Sequence, residues 1–324
     1  MKMQQRVGVY GGESLARYGF GDGHPFGPDR HNAFWDALAE SGLQARVRTM
    51  TSVQGRDQDV LRFHTDAYLE QVRQQSATGQ GYLDYGDTPA VVGIYESALC
   101  VVGSTLDAVA RIMAGELTRA MVPIAGLHHA RRDGAAGFCV FNDCGIAVET
   151  LRQVHGIQRI AYVDIDAHHG DGVFYAFVDD PELAVVDFHE DGNYLYPGTG
   201  RVDETGTGPA RGTKLNVPLP PFAEDEQFLR LWPTAERFLE DYAPQFILLQ
   251  CGADALAGDP ITHLQLSRAV HWTVTTSLCR IADRICEGRV LAVGGGGYER
   301  DHTARAWTQV VAALVDTLEQ GTES

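Results

Sequence analysis

The feature that most limits how this chain can fold is a series of short apolar runs, most of which end in polar or ionisable groups. The runs are "VGVYG" (7–11), "AMVPIAG" (120–126), "RIAYVDID" (159–166), "LAVVDFH" (183–189), "FILLQCG" (246–252) and "VLAVGG" (290–295). Stretches of helical character separate them, which predicts an α/β fold with a central, mostly parallel sheet and helices on both faces. Before the last run, Val270, Val274, Leu278, Ile281 and Ile285 recur at helical spacing and form an apolar stripe that belongs to the core. The segment 201–214, "RVDETGTGPARGTK", reads as a long surface loop. Neither a linker nor a repeat divides the chain, so residues 1–324 are expected to form one domain.

The run ends are "AGLHHARRDG", "DIDAHHGDG", "DFHEDG", "QCGADALAGD" and "GGGGYER". Ligands of open α/β sheets bind outside the carboxyl ends of the strands, so loops far apart in sequence are expected to meet at one pocket. In "YVDIDAHHGDG" (162–172), period two places Asp164, Asp166 and His168 on one face, provided the chain stays extended. Three such groups on a buried face need a metal ion or a hydrogen-bond network. A solvated surface cluster is the plainer alternative, but the apolar "RIAYV" before it reads as a buried strand. Asp166 and His168 are candidate metal ligands, and Asp254 at the end of "FILLQCGAD" fits as a third. Such a set leaves coordination positions open, as catalytic zinc requires.

His128 and His129 cannot both point the same way on an extended chain. Either could serve as an acid or base. Asp164 and Asp171 are the remaining carboxylates available to orient them. The plainer reading is a pair of histidines hydrogen-bonded within a loop. "GGGGYER" lacks the Lys-Ser/Thr of a phosphate loop. It instead brings Tyr298 as a phenol donor to a developing oxyanion.

A net charge of −17 argues against electrostatic partnership with nucleic acid or an anionic membrane, and it tolerates a cationic substrate. The six cysteines form no CxxC pair and read as buried free thiols of a reducing compartment. The opening "MKMQQRVGVYGG" has no apolar leader and no run approaches a membrane span, so a cytoplasmic protein is expected.

In order along the chain stand "GHPFGPDRH", "FHTDAYL", "GDTPA", "GLHHARRDGAAGFCVFND", "VDIDAHHGDGV", "YPGTG", "LQCGADALAGD" and "GGGGY". Together they resemble the histone deacetylase superfamily, most closely its bacterial acetoin utilisation members. The resemblance implies Zn2+ on Asp166, His168 and Asp254, with Fe2+ as the alternative ion. It pairs His128 with Asp164 and His129 with Asp171, makes His129 the proton shuttle, and gives Tyr298 the task of polarising the scissile carbonyl. It also implies tunnel walls at Phe138 and Tyr196 beside Gly137, a rim carboxylate at Asp87, and an internal arginine, Arg30, near a product channel. A structural K+ would involve Asp164, Asp166, His168, Asp187 and Phe188.

The chain departs from the pattern twice. Tyr196 stands where eukaryotic nuclear members usually carry Phe, and "HEDG" (189–192) places Glu190 and Asp191 where a basic residue is common. Glu190, Asp191 and Asp87 are therefore expected to give the tunnel mouth a negative field that favours cationic substrates. The implied reaction is hydrolysis of an N-acyl amide by metal-activated water, on acetyl-lysine, an acetylpolyamine or a related small acylamine. The oligomeric state is left open, a homo-oligomer included. The rivals are a binuclear manganese ureohydrolase of the arginase type and a non-catalytic binding protein on the same fold. Gly170 stands where the former would need a second Asp, and no ligand, histidine or tyrosine is missing, as the latter would require.

Overall fold

The computed structural model describes residues 5–21 and 23–321, and within them eight strands form one sheet. The strands are β1 (Val7–Gly11), β2 (Arg48–Thr51), β3 (Arg119–Val122), β4 (Ile160–Asp164), β5 (Leu183–Glu190), β6 (Lys214–Leu219), β7 (Phe246–Gln250) and β8 (Val290–Val293). Their spatial order is β2-β1-β3-β8-β7-β4-β5-β6. Every pairing is parallel. The first four residues of the segment read for a leader lie outside the described residues.

Every residue of β3, β4, β7 and β8 is buried, as are those of β1 and β5. A strand covered on both faces is a near-continuous apolar run, which is why these six announce themselves in the sequence. The two strands not foreseen are the edges. β2, "RTMT", buries only Met50. β6, "KLNVPL", alternates with polar residues and carries Pro218, which an edge tolerates. The loop expected over 201–214 ends one residue early, because Lys214 opens β6 with its side chain buried.

Helices cover the sheet in two groups. Arg268–Ile285, Arg300–Gly321, Asp225–Tyr242 and Asp29–Glu40 pack in one group, and Ile94–Met113 packs with Asp143–His155 in the other. The foreseen stripe lies on Arg268–Ile285, where Val270, Val274, Leu278 and Ile281 are buried, and Ser267 caps the helix by accepting from the Ala269 N–H at 3.2 Å. Among the described residues no helix is long and apolar enough to cross a membrane. All six cysteines are free and buried.

One local expectation fails. β4 stops at Asp164, so Asp166 and His168 are not on a continued strand face. The Asp164 carboxylate accepts from the Asp166 N–H at 3.1 Å, and this bond curls the chain out of the sheet. The carboxyl ends of β3, β4, β5, β7 and β8 nevertheless open on the same side, as parallel pairing demands.

Candidate active site

Asp166 and His168, on the loop after β4, meet Asp254, on the loop after β7. One ligand atom from each lies within 4.8 Å of the others, and all three residues are buried. His168 Nδ1 is 3.1 Å from both Asp166 Oδ1 and Asp254 Oδ2. The remaining carboxylate oxygens are fixed by donors: Gln250 Nε2 and the Gly296 N–H reach Asp166 Oδ2 at 2.9 and 2.8 Å, and the Ala167 N–H reaches Asp254 Oδ1 at 2.8 Å. A Cβ on Gly296 would stand 2.1 Å from Asp254 Oδ2, so only glycine can close over this cradle. Burial and the charge of Asp166 push the Asp254 carboxyl up to about 7. A cation would relieve that repulsion, and two carboxylates with one imidazole are a donor set that suits a zinc-like ion.

The tandem histidines face the same pocket, contrary to the expectation for an extended chain. The loop after β3 turns sharply. The His128 N–H donates to the Gly126 carbonyl at 3.0 Å, and Asp143 Oδ1 accepts from the Gly126 and Leu127 N–H groups at 3.0 and 2.8 Å. Asn142 Nδ2 holds the carbonyls of His128 and Ala130 at 3.2 and 2.8 Å. The two rings consequently lie side by side, 4.1 Å between centroids. His128 Nδ1 donates to Asp164 Oδ2 at 2.7 Å, and His129 Nδ1 donates to Asp171 Oδ1 at 2.6 Å.

The two imidazoles have opposite electrostatics. Burial opposes charge on His128, but the carboxylates of Asp164 and Asp166 prevail and push it up to about 10. Burial and the neighbouring His128 push His129 down to about 4, against the pull of Asp171. Tyr298 sits across the same pocket. Burial and then the charges of Asp254 and Asp166 hold its phenol well above the ordinary range, so it stays a proton donor.

The pocket has a volume of about 310 Å³. Phe138 forms one wall, its ring 5.8 Å from that of Tyr298, and Tyr196 forms the other, 5.1 Å from His129. Gly137 lines the pocket at φ +53, and a Cβ there would stand 2.4 Å from His129 Cδ2. Asp87 lines the mouth, where burial and the adjacent Asp84 push its carboxyl up to about 6. Arg30 is buried beneath the glycine loop and donates to the carbonyls of Gly297 and Gly295 at 2.8 and 2.6 Å. The residues tied by resemblance to a potassium ion share this end of the sheet. Asp164 stands in register with Asp187, Phe188 follows within β5, and Asp187 Oδ2 accepts from the Gly170 N–H at 2.9 Å.

The expected acidic rim needs correction at Glu190. Its side chain is fully buried, and its two oxygens accept from the His263 N–H and His263 Nδ1 at 2.9 and 2.7 Å. It anchors the 259–265 loop and presents no charge to the mouth. Asp191 is half-buried and takes up the Asn193 N–H and amide at 2.9 and 2.8 Å. Of the three expected rim carboxylates, Asp87 lines the pocket among the described residues.

Gln250, Asn142 and Asp143 went unassigned in the sequence, although each orients a site residue. "FND" before a helix carries a recognisable cap signal, and Asn142 does accept from the Gly145 N–H at 2.8 Å. Gln250 has no comparable sequence signal beyond ending an apolar strand.

Comparison with known proteins extends this geometry. The family model for the histone deacetylase domain matches residues 24–314. The acetoin utilization protein AcuC of Bacillus subtilis (strain 168) is 35% identical over 317 residues, covering 95% of this chain and 81% of its own. Histone deacetylase clr6 of Schizosaccharomyces pombe is 32% identical over 320 residues, covering 96% of this chain and 77% of its own. The crystal structure of the HDA15 HD domain superposes with a TM-score of 0.88, covering 97% of this chain and 89% of that one, and at 24% identity it speaks to the fold.

Proposed function

The chain belongs to the histone deacetylase family, and on that premise we propose that it is a zinc-dependent amidohydrolase removing acetyl groups from acetyl-lysine, an acetylpolyamine or a related small acylamine. The observation that carries this reading is the meeting, in one pocket, of the Asp166/His168/Asp254 donor set with two histidines that each have their own carboxylate. Asp166, His168 and Asp254 would hold the zinc, which would supply Lewis-acid polarisation of the acyl carbonyl and a lowered water pKa. Fe2+ is the alternative occupant.

The protein's own groups do the rest. Asp171 fixes the His129 ring through Nδ1 and leaves Nε2 to take a proton from the attacking water. The Tyr298 hydroxyl donates to the oxyanion as the carbonyl becomes tetrahedral. The proton held on His129 passes to the amine nitrogen as the C–N bond breaks, so water is divided between acetate and the protonated amine and no covalent intermediate is required. Phe138 and Tyr196 bound a slot for a slim neutral amide. Asp87 accepts from an N–H of the substrate at the mouth. With Glu190 withdrawn into the fold, Asp87 is the expected rim carboxylate that lines the pocket and can favour a positively charged substrate. The K+ site suggested by resemblance is a structural element of the same proposal.

The test is a parallel measurement of acetate release from acetyl-lysine peptides, acetylpolyamines and neutral N-acetyl amines, with urea release from arginine as the counter-assay. Acetate from at least one class supports the reading. Urea release with two bound manganese ions, or metal-loaded protein inert towards all of them, overturns it.

A further inference from the structure

We propose that Thr88 is a positioning residue whose hydroxyl, outside the tunnel, joins the rim carboxylate Asp87 to the wall residue Phe138 and so sets which acyl chains the pocket accepts. The inference rests on the deacylase reading of the pocket.

Phe138 occupies a conformation that its side chain does not favour. Gly137 and Phe138 both have positive φ, +53 and +67, at the centre of a tight turn closed by reciprocal bonds between Ala136 and Cys139. Such turns prefer Asn and Gly, and an aromatic residue there must be held by its surroundings. Two buried side chains hold it. Thr88 Oγ1 accepts from the Phe138 N–H at 3.0 Å, and the Tyr18 hydroxyl donates to the Phe138 carbonyl at 2.7 Å while accepting from the Val140 N–H at 3.1 Å. Both polar backbone groups of the wall residue are thus fixed by side chains from other segments.

Thr88 is fully buried and has a second bond to make. Its hydroxyl donates to Asp87 Oδ1 at 3.1 Å, so the same oxygen serves the rim and the wall. Its own position is set by Asp84, whose Oδ1 accepts from the N–H groups of Gly86, Asp87 and Thr88 at 2.9, 3.1 and 3.0 Å. The Leu83 N–H also donates to the Thr88 carbonyl at 2.9 Å. The rim turn and the Phe138 turn therefore move as one body. Loosening the hydroxyl link frees the Phe138 ring to swing from Tyr298 and widens the slot.

The experiment compares wild type with Thr88→Val, which keeps the shape and removes the hydroxyl, and with Thr88→Ser, which restores it. Amide exchange at Phe138 is one readout, and the ratio of kcat/KM for an acetyl over a butyryl substrate is the other. Thr88→Val should speed exchange at Phe138 and lower the acetyl/butyryl ratio, each by about tenfold, the size of one hydrogen bond. Thr88→Ser should recover both, and Tyr18→Phe should shift the ratio in the same direction as Thr88→Val. Unchanged exchange in Thr88→Val overturns the proposal, as does faster exchange with unchanged selectivity or a variant that alters only the melting temperature. A wild type inert towards every acylamine overturns the deacylase reading alone, and the exchange arm then decides whether Thr88 holds the wall.

Discussion

His129 and Asp171 are 42 residues apart in the chain, yet His129 Nδ1 and Asp171 Oδ1 lie 2.6 Å apart at the pocket wall. The bond occupies Nδ1 and leaves Nε2 as the nitrogen that the proposed reaction uses. Asp171→Asn keeps the shape but replaces an ionised acceptor by an amide, and kcat should fall about 10- to 100-fold. Metal content and melting temperature should hardly change. Full activity in this variant would remove His129 from the assigned proton path.

Tyr298→Phe removes one hydroxyl and nothing that holds the fold, because the Tyr298 backbone is fixed by Asp259 and Arg300 at 2.8 and 3.0 Å. Loss of one oxyanion donor typically lowers kcat by ~10² to 10³. Steady-state kinetics should show that loss while substrate affinity persists. Turnover near the wild-type rate would mean that the oxyanion is stabilised elsewhere.

Gly137→Ala should inactivate without unfolding. The new methyl would stand 2.4 Å from His129 Cδ2, at a backbone angle of φ +53 that alanine resists. Misplacing a reacting group by about 1 Å can cost ~10² in rate. Circular dichroism should stay native while kcat collapses. Native kinetics would show that the His129 ring has room to spare.

The fold should weaken in acid through His64. This ring is buried, its Nε2 accepts from the Asn142 N–H at 2.9 Å, and burial pushes its pKa down to about 3. An unfolded histidine titrates near ~6.5. The folded ring stays neutral from there down to about 3, while the unfolded chain takes up a proton. Stability is therefore intact above about 6.5 and falls as pH drops, by up to ~1.4 kcal/mol per unit. Urea unfolding at pH 7.5 and 5 should show a loss ~2 kcal/mol larger in wild type than in His64→Gln, which does not titrate. Equal losses would exclude His64 as the sensor.

The sheet interior could be read from sequence because β3, β4, β7 and β8 are buried on both faces and are near-continuous apolar runs. The edges β2 and β6 escaped, since one neighbour and partial cover leave no such run. The candidate metal donors stood out for a related reason: charged groups directly after a buried strand have few explanations. Orientation was another matter. Whether Glu190 faces solvent depends on His263, 73 residues later, and the facing of the two histidines depends on Asn142 and Asp143, which act through backbone groups that no side-chain pattern reveals. Thr88 was visible only as one letter of "GDTPA", because its bond to the Phe138 N–H, 50 residues later, is made only once the chain has folded.

We propose one catalytic metal on Asp166, His168 and Asp254. The most direct test is a titration of metal-stripped protein with zinc, following acetate release from whichever acylamine the substrate comparison identifies. The donor set predicts activity that rises linearly and levels off at about one equivalent per chain. Asp254→Asn should show no rise over the same range. A plateau at two equivalents, or full turnover by stripped protein in the presence of a chelator, would contradict the account.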